Sequence, residues 1–147
     1  MPGKVFQNDV GITMVAAGLG SVGSYQMSGI PYATASLAVV ANTSAPTVVQ
    51  FPLVTKFVTI INTGSAATPN LKVGFSQNGV SGSGTNYFTL SYGESYTGEW
   101  RLEDLYLQSA TSSPTSASII AGLTPIPRGV PSFVSTGNNW SGSSGVG

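Results

Sequence analysis

The carboxylates Glu94, Glu99, Glu103 and Asp104, with Arg101 among them, form the group of side chains best placed for acid–base chemistry in this chain. Two carboxyl groups flanking a sugar linkage are the apparatus of glycoside hydrolysis, one protonating the leaving oxygen while the other attacks or activates water. On a strand, however, Glu99, Arg101 and Glu103 fall on one face in alternating sign, and a solvated ion-pair row accounts for that spacing without any reaction. The chain has no His and no Cys. This removes Ser-His-Asp triads, thiolate nucleophiles and imidazole or thiolate metal sites together. Glu103-Asp104 offers oxygens to calcium, but the spacing of an EF-hand loop is absent. The sequence predicts no catalytic residue, no metal site and no cofactor.

Two further patterns suggest ligands. Gly18-Leu19-Gly20-Ser21-Val22-Gly23 matches the dinucleotide fingerprint, which requires a helix opening at the third glycine and an acid about 20 residues on. Gly29 and Pro31 block such a helix, and no acidic residue follows until Glu94, so the segment reads as a Gly-rich loop. Tyr87, Tyr92, Tyr96, Trp100 and Tyr106 would suit stacking on sugar rings, but alternation places Tyr92, Tyr96 and Trp100 with the apolar set, which predicts a core role. The glycosylation sequons at Asn42 and Asn139 are expected by chance in a chain so rich in Asn, Ser and Thr.

The elements that must position these residues are strands. No segment keeps helical spacing of apolar residues over three turns, whereas short runs of Val, Ile, Thr, Phe and Tyr recur between Gly, Pro, Ser and Asn clusters. Leu71, Val73 and Phe75 share one face of the clearest strand. Asn78-Gly79 and the following glycines predict a loop, and strands are expected over 86–92 and 94–100. After Trp100 the apolar phase shifts to Leu105 and Leu107, which predicts a bulge or short break near Glu103-Asp104. Residues 116–124 give another strand, and 54–61, apolar on both faces in its second half, suits a central strand covered on both sides. Weaker strand signals lie at 12–16, 37–41 and 47–51. About eight or nine strands predict an all-β sandwich of two antiparallel sheets. The expected organisation is an N-terminal arm over 1–36 that contributes at most a first strand, a core over 37–124, and an extended Pro/Gly/Ser-rich tail over 125–147.

Composition bounds the partners. Five Lys+Arg and five Asp+Glu make 7% charged residues, against roughly a quarter in ordinary soluble domains, and none lies between Asp9 and Lys56. Near-zero net charge favours association, so the working state is expected to be an assembly. The same neutrality lacks the basic field that nucleic-acid binding needs. No apolar run reaches signal-peptide or membrane-span length, and the expectation is an unsecreted protein without membrane insertion. Phe6, Phe133 and Trp140 are large apolar groups outside the expected core and are the candidate partner contacts.

The segments Phe57-Val58-Thr59-Ile60-Ile61-Asn62-Thr63-Gly64, Asn70-Leu71-Lys72-Val73-Gly74-Phe75-Ser76-Gln77-Asn78-Gly79-Val80, Asn86-Tyr87-Phe88-Thr89-Leu90 and Ile119-Ile120-Ala121-Gly122-Leu123-Thr124 together resemble the single jelly-roll penton proteins of large icosahedral double-stranded DNA viruses. The likeness spans about half the chain, from Phe51 to Pro127. It implies a single jelly roll with two four-stranded sheets. It also implies a homopentamer closing the fivefold vertices of a virion, in contact with double jelly-roll major capsid and minor capsid proteins, and no catalytic site.

Overall fold

The structure, a computed structural model, describes residues 5–7, 13–15, 29–81 and 84–129. Among the described residues ten strands run in chain order: β1 (Val5–Gln7), β2 (Thr13–Val15), β3 (Ile30–Val39), β4 (Thr47–Gln50), β5 (Leu53–Asn62), β6 (Leu71–Gly74), β7 (Tyr87–Leu90), β8 (Ser95–Gly98), β9 (Asp104–Ser109) and β10 (Thr115–Pro127). One helical turn, α1 (Gln77–Val80), lies between β6 and β7.

β1 and β2 pair as a small hairpin, and the other eight form two sheets in the orders β3-β10-β5-β8 and β4-β9-β6-β7. The pairing is antiparallel throughout. From β3 to β10, the first strand pairs with the last, the second with the second-last, and so inward to β6 with β7. That is one long hairpin rolled up so that β10 also meets β5 and β9 also meets β6. This path defines a single jelly roll, the all-β architecture expected from the strand pattern.

Hydrophobic alternation fixes which faces meet. Val58 and Ile60 of β5, Leu71 and Val73 of β6, Leu105 and Leu107 of β9 and Ile119 of β10 are fully buried between the sheets. Phe51 joins them and meets Tyr32 edge-to-face at 5.2 Å. Asn62 ties the sheets at one end, donating through Nδ2 to the carbonyl of Leu90 at 3.0 Å. Thr55 does so at the other, donating to the carbonyl of Trp100 at 2.6 Å and accepting from the amide of Leu102 at 2.9 Å. The phase break expected after Trp100 is therefore the place where the chain leaves the first sheet for the second.

Four expectations shift. The first core strand begins at Ile30, not near residue 37, because β3 changes phase in the middle. Tyr32 and Thr34 oppose the inward residues Ala121 and Ile119, whereas beyond Ser36 it is Leu37 that opposes Ala117. Ser36 has a φ of 54°, the left-handed conformation of a bulge, and a single alternation pattern cannot run through it. The Asn78-Gly79 loop contains a helical turn, capped by Ser76, whose hydroxyl accepts from the amide of Gly79. Residues 125–127, expected outside the core, belong to β10. β1 carried no strand signal.

The two outer faces differ. On the β4-β9-β6-β7 sheet, α1 packs over β6 and β9, and the directly opposed Lys72 and Gln108 are buried beneath it and the neighbouring loop. Lys72 Nζ donates to the carbonyl of Val80 at 3.4 Å and sits 4.7 Å from the Tyr87 ring centroid, and Gln108 Nε2 donates to the carbonyl of Ser44 at 2.7 Å. The outer face of the other sheet retains exposed apolar side chains, Ile120 among them at 45%.

Candidate interaction surface

The acidic cluster does not assemble into a reaction centre. Glu94 lies in the β7–β8 turn, where its Oε2 accepts from the amide of Ser91 at 2.6 Å. Glu99 is exposed, whereas Glu103 and Asp104 are buried. The expected ion-pair row of Glu99, Arg101 and Glu103 is thus corrected: the chain crosses between sheets over these residues, strand alternation does not hold there, and Glu103 turns inward while Glu99 and Arg101 stay in solvent. Among the described residues no three metal-ligating side chains gather.

The inward carboxylates hold the end of β10 instead. Arg128 Nη1 donates to the carbonyls of Phe51 and Glu103, each at 2.7 Å, and Nη2 meets Asp104 Oδ1 at 3.0 Å. The Glu103 carboxylate accepts from the amide of Gly129. Gly129 has a φ of 85°, so the chain turns sharply just after this clasp in a conformation that favours glycine. Nearby Tyr106 has its phenol pKa pushed up, first by burial and then by the Asp104 carboxylate, with Arg128 opposing.

Tyr92 and Tyr96 are exposed and Trp100 lies at a rim rather than in the core expected of them, whereas Tyr106 is buried. Tyr96 and Gly98 oppose Ile60 and Val58 and so face inward, but β8 is an edge strand and no further strand shields them on that side. Tyr96 is 49% exposed, and Tyr92, in the turn before β8, is 56% exposed. Trp100 folds back over Gly98, where an added Cβ would lie 2.3 Å from the indole. Its ring is nearly parallel to Tyr96 at 5.7 Å and edge-on to Phe75 at 4.9 Å, and Phe88 tilts against Tyr96 at 5.3 Å. These four rings close the gap between the edge strands β7 and β8 and leave one side of Tyr96 to solvent.

Of the candidate partner contacts, Phe6 lies on β1, whose side chains are outside the described residues, as are Phe133 and Trp140. The Gly18–Gly23 motif is outside them too. Comparison with protein-family models, with curated proteins and with solved structures finds no match to this chain.

Proposed function

We propose that this chain is a structural, non-enzymatic capsid protein that forms pentamers at the fivefold vertices of an icosahedral virion. The observation that carries the reading is the jelly-roll strand order in a chain with 7% charged residues. Subunits surrounded by their own copies bury most of their lateral surface, and a surface of hydroxyl and small apolar groups is buried without stranding charges. A ring repeats one heterologous contact, in which one patch meets a different patch on the next copy. The resemblance of residues 51–127 to single jelly-roll pentons supplies the vertex position, and major and minor capsid proteins are the proposed neighbours. The inward carboxylates support the non-enzymatic reading, because Glu103 and Asp104 are engaged in holding β10. Quantitative mass spectrometry of purified particles tests it: five copies per vertex are expected, and a copy number unrelated to the vertices would instead favour a minor capsid, cement or spike role for the same sandwich.

The half-exposed Tyr96 stacked on Trp100 favours a second reading, a glycan-binding module for host attachment. Glycan-array binding lost in Trp100→Ala or Tyr92→Ala, with folding intact, would establish that reading in place of the first.

A further inference from the structure

We infer that the outer face of the β3-β10-β5-β8 sheet is a docking surface for a second copy of this chain. Residues directly opposed on antiparallel strands share a face, and the registers define this one. Ala33, Ile120, Thr59 and Thr97 form a row across all four strands. Ser118, Ile61 and Ser95 form the row on one side of it, and Pro31, Gly122 and Phe57 the row on the other. None of these side chains is ionisable; Lys56, beside the irregularity where β10 changes register between Gly122 and Leu123, and the exposed Glu99, directly after Gly98 of β8, stand at one end of the patch. Phe57 lies across Gly122, where an added Cβ would approach its ring to 2.4 Å, so the patch is flat at that end. Two of its hydroxyls, those of Thr59 and Thr97, pair with each other within the sheet at 2.8 Å, which lowers the cost of burying them.

The sequence of β5 is that of a strand covered on both faces, yet Phe57, Thr59 and Ile61 are only half-buried and Ile120 is exposed. On the opposite sheet α1 packs over β6 and β9, while Val48 of β4 and Thr89 of β7 stay exposed. A neutral patch fits a neutral partner, because a charged one would lose hydration without gaining a counter-ion. This chain, with zero net charge, provides such a partner. Three strands paired over about 20–25 Å and β8 over about 13 Å, at a spacing of about 4.8 Å, give a footprint of roughly 350–420 Å². Two such footprints total about 700–850 Å², below the threshold of a specific interface. A single contact is therefore weak, and it holds firmly only when each copy makes two of them in a closed ring. The proposal rests on the vertex reading for that ring.

Sedimentation velocity of the full chain over about 1–200 μM, a range spanning weak interfaces, tests the face. The wild type is expected to associate with concentration. Ile120→Glu and Thr97→Lys should each raise the association midpoint at least tenfold with unchanged circular dichroism, and Thr89→Lys, exposed on the other sheet, should not. A photocrosslinker at position 97 should capture peptides of a second copy, and it decides the matter should either variant misfold. A wild type that stays monomeric, variants that associate normally, or crosslinks confined to residues 10–28 of the same chain would overturn the proposal. Those outcomes leave the vertex reading standing, since that reading fails only if the chain is missing from particle vertices.

Discussion

Replacing Arg128 by Ala removes a guanidinium that bridges the two sheets after the last strand. Three contacts go at once: those to the carbonyls of Phe51 and Glu103 and the pair with Asp104. The Glu103 carbonyl keeps the amide of Phe51 at 2.9 Å, so the loss falls on the Phe51 carbonyl and on the Asp104 side chain, which is only 3% exposed. Stripping one partner from a fully buried pair costs about 3–5 kcal/mol. The Arg128 side chain is 36% exposed, so water already screens the pair, and the expected cost falls to about 2–3 kcal/mol. With a urea m-value of about 1.5 kcal/mol/M, the unfolding midpoint should drop by roughly 1.3–2 M. Asp104→Asn should cost less, because the guanidinium keeps both carbonyls, and the double-mutant cycle should return a coupling of about 1–2 kcal/mol. A loss under about 0.5 kcal/mol for Arg128→Ala, the range of ordinary surface substitutions, would refute the claim that this clasp secures β10.

Two further outcomes follow from the rim and the clasp. Gly98→Ala forces the Trp100 indole off the strand and should cost about 1–3 kcal/mol; in a Trp140→Phe background the emission of Trp100 should shift to the red, and an unchanged spectrum would contradict the packing of indole on glycine. Because the Tyr106 pKa is raised on folding, the unfolded chain releases this proton first as pH climbs past about 10. Stability should therefore fall from there towards the folded-state pKa, and Tyr106→Phe should flatten that alkaline decline in urea titrations; an identical decline in the variant would rule Tyr106 out as its source.

Strands whose inward face alternates without interruption were legible in the sequence, as at Leu71, Val73 and at Ile119, Ala121, Leu123. β3 was legible only in its second half because the bulge at Ser36 transfers the inward positions from Tyr32 and Thr34 to Leu37 and Val39. Alternation put Tyr96 on the inward face, correctly, but it carries no information on whether a strand is central or at an edge, and an edge position is what leaves this ring half in water. Glu103 and Asp104 looked like surface charges because their partners, Arg128 and Gly129, lie some 25 residues away. Only the folded path of β10 brings them together. The outer face of the β3-β10-β5-β8 sheet was readable in part: the two-sided apolar character of β5 pointed to a cover, whereas Phe57, Thr59 and Ile61 are only half-buried.

A cryo-electron microscopy map of the particle vertex tests the central claim most directly. The account predicts five copies of a jelly roll with the sheet orders β3-β10-β5-β8 and β4-β9-β6-β7 around the fivefold axis, with density that accommodates Trp100 over Gly98 and the Arg128 clasp. Vertex density that fits a different chain, with this one absent, would contradict it.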